Sequence, residues 1–291
     1  DVLPVNEFRF YRGLFKPKEC LDGSPLIHRT RCVKSAWEVE QMEAAAAISR
    51  RTFDYMRTAI APGLTEMQFA GMYEAYARTI GHGGKLRVRH FNTEVYPWHV
   101  LSGPSGGMVG LLDSPASGEG TSAAFPAGAG PRRLCVDEPI MVDLGTVKNG
   151  YHMDETRMFA IGSMPDKAWR ASRAAIEIHD ALIERAKPGV TLGELFDDAL
   201  ALADRRGFRD VFLGPSGHQV SFIGHGIGLE LVEPPLIARG RDTSLEAGMV
   251  FALEPKLVFE NEFAAGVESV LRVTETGGRL ISKVPVEIFV C

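Results

Sequence analysis

Along the 291 residues, apolar positions recur at helical spacing over about 35–60, 66–80, 168–186 and 192–206, the signature of helices that bury one face. Between and after them the pattern turns to strand. Segments 139–143, 151–161, 249–259, 267–274 and 284–290 are rich in Val, Ile, Phe and Met and read as strands. Helices and strands in blocks, without regular βα alternation, predict an α+β fold on a mostly antiparallel or mixed sheet. Segment 102–131 is a run of Gly, Ser, Ala and Pro. A loop that long inside a compact domain tends to be functional, and it is expected to form a lid or edge of the site.

The helices come in two copies. Ala61-Pro62-Gly63-Leu64-Thr65-Glu66-Met67-Gln68-Phe69 aligns with Lys187-Pro188-Gly189-Val190-Thr191-Leu192-Gly193-Glu194-Leu195 at an offset of 126 residues. Both read as a turn and a capping box, in which Thr accepts from the amide three residues on and Gln or Glu reaches back. Asp54 meets Asp180 at the same offset. Two unrelated helix pairs sharing a common turn would also match. The matched Pro-Gly, the matched Thr and helices on both sides favour an internal pseudo-twofold.

The sharpest local feature is Asp143-Leu144-Gly145-Thr146-Val147-Lys148-Asn149-Gly150-Tyr151-His152-Met153-Asp154. Asn-Gly between apolar strands signals a two-residue hairpin. That register sets Lys148 opposite Tyr151, Gly145 opposite Asp154 and Asp143 opposite Thr156. Asp143 and Asp154 then share a face as diagonal neighbours, within side-chain reach, and glycine opposite Asp154 leaves room for a ligand. Two carboxylates converging on a half-buried face repel each other unless a positive charge lies between them. A bound divalent cation resolves this; a solvated aspartate, or one paired with Arg157, is the structural alternative.

Three further candidates lie downstream. His225 is set among glycines in Gly224-His225-Gly226-Ile227-Gly228, where the backbone can approach closely. Glu254 ends the apolar run Phe251-Ala252-Leu253, and Glu268 lies in Gly266-Val267-Glu268-Ser269-Val270. Glutamate is rarely buried unless paired or metal-bound. Asp143, Asp154, Glu254 and Glu268 carry four negative charges, which two divalent ions would balance. Oxygen donors with one imidazole suit Mn, Co, Zn or Fe.

Composition narrows the class without choosing the chemistry. With 32 Lys+Arg against 37 Asp+Glu the net charge is −5, opposite to the basic excess of a general nucleic-acid binder. No apolar run approaches the ~20 residues that span a bilayer. Cys20, Cys32, Cys135 and Cys291 are far apart, which fits a reducing compartment, and no secretory signal pattern opens the chain. A cytoplasmic location is therefore expected.

In this order, Asp-x10-Asp, His-Gly-x-Gly, Glu-Pro and Glu resemble the pita-bread metallopeptidases, the family of methionine aminopeptidase, Xaa-Pro aminopeptidase, prolidase and creatinase. The resemblance runs from about 34 to 290, and the internal duplication is shared. It implies a pita-bread α+β fold with helix pairs packed on a curved sheet, and two divalent metal ions. It further implies that Asp143 binds one ion, that Asp154 and Glu268 bridge both, and that His225 and Glu254 bind the other. Glu254 would also pass a proton from the bridging water. The stretch from Gly150 to Arg157 is similar to the prolidase and Xaa-Pro aminopeptidase branch, which implies hydrolysis of an N-terminal Xaa-Pro bond in a small peptide or dipeptide by a homodimer. Residues 1–33 then look like the tail of an N-terminal domain or a linker, with 34–291 as the catalytic domain. Glu233 and His218 are expected substrate contacts.

Two departures stand out. A family histidine seven residues after the metal histidine is here Val232, and a second, expected about eighteen residues before Asp143, is absent near Phe125-Pro126. His99, His152 or His218 would have to substitute in space. The alternatives are a creatinase-like C–N hydrolase or lyase, a binding protein that keeps its metals, or a metal-free interaction module.

Overall fold

Asn149 and Gly150 both adopt positive φ, 51° and 85°, as a type I′ turn requires. The turn joins β2 (Pro139–Lys148) to β3 (Tyr151–Ala160) in the expected register, Gly145 opposite Asp154 and Asp143 opposite Thr156. The computed structural model describes residues 2–89, 98–109 and 114–291. β1 (Trp98–Ser102) and β11 (Phe289–Val290) complete a sheet ordered β1-β2-β3-β11, antiparallel except for the last pair. A second, antiparallel sheet is ordered β10-β9-β6-β4-β5. Its strands are β4 (Phe222–Gly226), β5 (Glu233–Ala238), β6 (Val250–Leu253), β9 (Ser269–Thr274) and β10 (Gly277–Leu280). The hairpin of β7 (Lys256–Phe259) and β8 (Phe263–Gly266) lies beside them.

Each sheet carries a helix pair. α3 (Ala36–Ala59) and α4 (Glu66–Thr79) place Phe53, Phe69 and Tyr73 against Val142 and Phe159 of the first sheet. α5 (Asp166–Arg185) and α6 (Leu192–Arg205) place Ile178, Leu195 and Phe196 against Ile223, Phe251 and Val258. Both expected capping boxes form, Thr65 with Gln68 and Thr191 with Glu194, and Ser35 with Glu38 makes a third at the start of α3. Two shorter helices precede them, α1 (Val5–Phe15) and α2 (Ser24–Cys32), and neither has a fully buried residue. Among the described residues no helix is long and apolar enough to cross a membrane.

The duplication extends beyond the helices. Gly63 N–H donates to the Leu134 carbonyl and Leu134 N–H returns to Leu64; Gly189, Leu245 and Val190 repeat this bond for bond. Glu66 and Leu192 then donate to Arg132 and Thr243, and the bridges Thr65–Arg133 and Thr191–Ser244 correspond. From 134 to 245 the offset is 111 residues rather than 126, so the first copy holds a longer connection between helices and strand. At 111, Asp143 is the counterpart of Glu254.

Several boundaries differ from expectation. The run 249–259 is two strands, β6 and β7, in different sheets, because Pro255 has no N–H for the ladder. The strand expected over 267–274 begins at Ser269, and that over 284–290 shrinks to Phe289–Val290. The described part of 102–131 is tied down as an edge. The buried Glu66 carboxylate accepts from Ser102 N and Oγ, Ser105 Oγ and Gly130 N at 2.7–3.1 Å. Gly107 packs so closely on the backbone of Phe259 and Asn261 that a Cβ there would clash. Residues 110–113 of that segment lie outside the described residues.

Candidate metal centre

The two sheets bring their carboxylates to one point. Asp143 on β2 and Asp154 on β3 project from one face of the hairpin. His225 lies on β4, flanked by glycines for a packing reason: a Cβ at Gly224 would stand 2.5 Å from the Ala252 carbonyl oxygen, and one at Gly226 2.5 Å from that of Pro234. Glu254 follows β6 where Pro255 ends it. Glu268 lies between β8 and β9, in an antiparallel bridge with Thr156. The buried Arg157 guanidinium clamps that crossing by donating to the carbonyls of Thr156, Glu268, Val284 and Pro285. With a further bond to Ser269 Oγ, it serves backbone and hydroxyl oxygens rather than either aspartate.

All five expected ligands line one cavity of about 120 Å³, together with His99, Leu86, Val232 and Lys256. Asp154, His225 and Glu268 each offer a ligand atom, all three within 4.8 Å of one another. His225 Nδ1 lies 3.0 Å from the Gly226 carbonyl oxygen, which can only accept, so Nδ1 carries the proton and the Nε2 lone pair is free. Nε2 stands 3.5 Å from Glu254 Oε1 and 3.8 Å from Glu268 Oε1. Glu268 Oε1 is buried without a hydrogen-bond partner, an acceptor that a cation would satisfy. The room expected at Gly145 is taken: a Cβ there would stand 2.7 Å from Leu86 Cδ1.

Sequence reasoning missed Lys256. Its Nζ donates to Asp143 Oδ2 and Glu254 Oε2, each at 2.8 Å, and to Glu268 Oε2 at 3.3 Å. Burial alone would lower the Lys256 pKa, but the carboxylates outweigh it and hold the ammonium's pKa well above its usual value. Burial likewise raises Asp143, but the attraction of Lys256 and contact with His99 leave it below the ordinary range. Asp154 is raised by burial and then by Asp143, and Glu268 by burial and then by Asp154. Four carboxylates against one ammonium leave net negative charge in a buried pocket, so the donor set fits a divalent cation. A signal for Lys256 was present: a lone Lys opening the apolar run Leu257-Val258-Phe259, two residues past a carboxylate.

His99 is the one of the three substitute histidines that reaches the cavity. It pairs with Asp143 across β1 and β2, with Nδ1 3.8 Å from Asp143 Oδ2 and a buried Nε2 that has no hydrogen-bond partner. His152 is structural: Nε2 accepts from Arg87 N and Nδ1 meets the Gly228 carbonyl. The two expected substrate contacts are not brought to this cavity. His218 is exposed on a loop, and the buried Glu233 carboxylate is engaged by Lys34 and Arg31. Glu233 sits on the strand next to that of His225, but its charge is committed to the segment before α3.

Fold and donor set define a duplicated α+β protein built to hold divalent metal. A model of metallopeptidase family M24 matches residues 40–275, and the chain belongs to that family. The Xaa-Pro dipeptidase of Lactobacillus helveticus is 30% identical over 95% of this chain and 67% of its own length. For the probable dipeptidase PepE of Mycobacterium bovis the identity is 30%, over 92% and 63%. The chain thus spans about two thirds of these relatives. The crystal structure of X-Pro aminopeptidase from Thermotoga maritima superposes with a TM-score of 0.82 at 26% identity, covering 99% of this chain and 73% of that one. The pita-bread fold and the prolidase branch expected from the sequence both hold.

Proposed function

We propose that the chain is the catalytic part of a metal-dependent exopeptidase that hydrolyses the Xaa-Pro bond of a dipeptide or short peptide. The observation that carries this reading is the convergence of Asp154, His225 and Glu268 around a buried, unpartnered Glu268 oxygen, in a chain similar to an Xaa-Pro dipeptidase. Asp154, His225 and Glu268 would hold a divalent ion there, whose chemistry would be to lower the pKa of a water and polarise a carbonyl. Glu254 has one oxygen bonded to Lys256 and the other facing His225, so Oε1 is the atom that would carry a proton to the departing proline nitrogen. His99 lines the same cavity with its Nε2 buried and unpartnered, and would contact the substrate carbonyl or carboxylate in place of the imidazole lost at Val232.

Reconstitution with Mn, Co, Zn or Fe, followed by assays on Xaa-Pro dipeptides and longer Xaa-Pro peptides, tests this reading. Turnover of the dipeptides is the expected result. Metal uptake without turnover of any Xaa-Pro peptide would reject it. One observation favours a second reading: Val232 lines the cavity where the resemblance calls for an imidazole, so a peptidase contact is missing, and a non-peptide C–N substrate of the creatinase type can be assayed with the same preparation.

A further inference from the structure

The family resemblance implies two ions, yet the described residues distribute their charges otherwise. A single ammonium, Lys256 Nζ, bonds Asp143 and Glu254 and approaches Glu268. Asp143 and Glu254 are counterparts in the duplication, so Nζ sits where the two halves present equivalent carboxylates to each other. The counterpart of Lys256 itself, at the offset of 111, is Gly145, which has no side chain to offer.

The Lys256 stem is held in place as well. Lys256 pairs with Gly266 across β7 and β8, and a Cβ at Gly266 would lie 2.6 Å from Lys256 Cγ. The stem therefore runs over a residue whose side chain is absent, in a space that any larger residue would close. The lysine is 2% exposed. An ion placed between Asp143 and Glu254 would have to share their oxygens with a fixed positive charge a few ångströms away, and like charges in a buried pocket repel strongly. Asp154, His225 and Glu268 remain as one compact set of three donors.

We propose that Lys256 takes the place of one of the two divalent ions, so that the chain binds a single ion at Asp154, His225 and Glu268 while the ammonium neutralises Asp143 and Glu254. This rests on the metal-dependent reading above and sharpens it to a mononuclear centre assisted by a built-in cation. One ion and one ammonium against four carboxylates leave a single net negative charge, where two ions and the ammonium would leave a net positive one.

The test is the number of Mn²⁺ ions bound per chain, by equilibrium dialysis and elemental analysis, with the spin-resonance spectrum as a second readout. The wild-type chain is expected to bind one ion with an isolated six-line spectrum. Lys256→Met keeps the apolar stem and removes the charge, and is expected to bind two, with the broadened spectrum of an exchange-coupled pair. Lys256→Gly, which restores the counterpart residue, is expected to do the same should the methionine variant fold poorly. Two ions bound tightly to wild type would overturn the proposal, whether or not Xaa-Pro peptides are cleaved. No ion bound to wild type would overturn it too. One ion without peptidase turnover would support this proposal while rejecting the peptidase reading, so the two fail separately.

Discussion

The two halves of the chain share backbone hydrogen bonds but not the residues hung on them. In the first half, β2 runs unbroken through Asp143-Leu144-Gly145; in the second, Glu254-Pro255-Lys256 breaks the strand at the proline. Across the hairpins, Asp154 opposite Gly145 corresponds to Gly266 opposite Lys256. Thr156 corresponds to Glu268, and these two counterparts bridge each other, each amide donating to the other's carbonyl. Reciprocal contact between equivalent positions is what a twofold axis demands. The centre is thus built on an axis, with the symmetry broken one side chain at a time. Duplication supplies the backbone frame, and unequal substitution supplies the chemistry.

Replacing a ligand by its counterpart should therefore erase function while sparing the frame. Glu268→Thr puts on one side what Thr156 already is on the other, and His225→Leu does the same toward Leu101, which pairs with Met141 as His225 pairs with Ala252, the counterpart of Met141 at the offset of 111. Each is expected to lower Mn²⁺ occupancy and to reduce turnover by at least about 10²-fold, the size of losing one preorganised electrostatic stabiliser. Thermal melting should stay close to wild type, since Glu268 is one of four carboxylates crowded around a single ammonium and its removal relieves their repulsion, while leucine fills the space of a neutral imidazole. A melt as severely lowered as the activity would show that these side chains hold the fold rather than the metal.

The helix–turn–helix copies were legible in sequence because caps and Pro-Gly turns are local, and a common offset of 126 runs through both. The strand copies were not, because segment 102–131 changes the offset to 111, so no single period aligns the whole chain. The five ligands could be read for a related reason. Asp143 and Asp154 follow from hairpin register, and isolated glutamates in apolar runs are conspicuous. Lys256 could not be placed, since its Nζ meets Asp143 only after β7 leaves the sheet that β6 belongs to. His99 likewise needed the β1–β2 pairing, which spans a connection of more than thirty residues. Glu233 looked free for substrate because its partners, Lys34 and Arg31, are some 200 residues away in the chain.

The second break in the symmetry lies at the first residue of each capped helix. Leu192 is an ordinary core residue; its counterpart Glu66 is equally buried and holds the glycine-rich segment by four accepted hydrogen bonds. Glu66→Leu copies the other half and leaves those donors unpaired, at about 1–3 kcal/mol each where water cannot reach them. A net loss of about 3 kcal/mol in urea unfolding is expected. Glu66 should also give its position a pH dependence that Leu192 cannot have. Burial raises the Glu66 carboxyl above its ordinary 4.5 in spite of its donors, so the folded state binds this proton more tightly than the unfolded one. Its contribution is then fully present below the unfolded value and is lost as pH rises through the folded one. Unfolding of wild type and Glu66→Gln across pH 4 to 8 should show that extra fall in wild type alone. Parallel curves would remove Glu66 as its source.

The smallest effect is the one in which the halves should agree. Thr65 and Thr191 cap their helices with the same bonds, at 3.0 and 3.1 Å to the amides of Gln68 and Glu194. Each is also held in a bridge to the strand side, to Arg133 and Ser244. Thr→Ala at either position removes one side-chain acceptor, at a cost of about 1 kcal/mol, and leaves the bridge intact because it is made by backbone. If the duplication is energetic as well as geometric, Thr65→Ala and Thr191→Ala will shift the urea midpoint equally, and the double variant will show the sum, as sites this far apart in separate cores do. A clearly larger loss at Thr65 would mean that the first cap also supports the Glu66 anchor beside it. The symmetry would then end at the cap rather than one residue later.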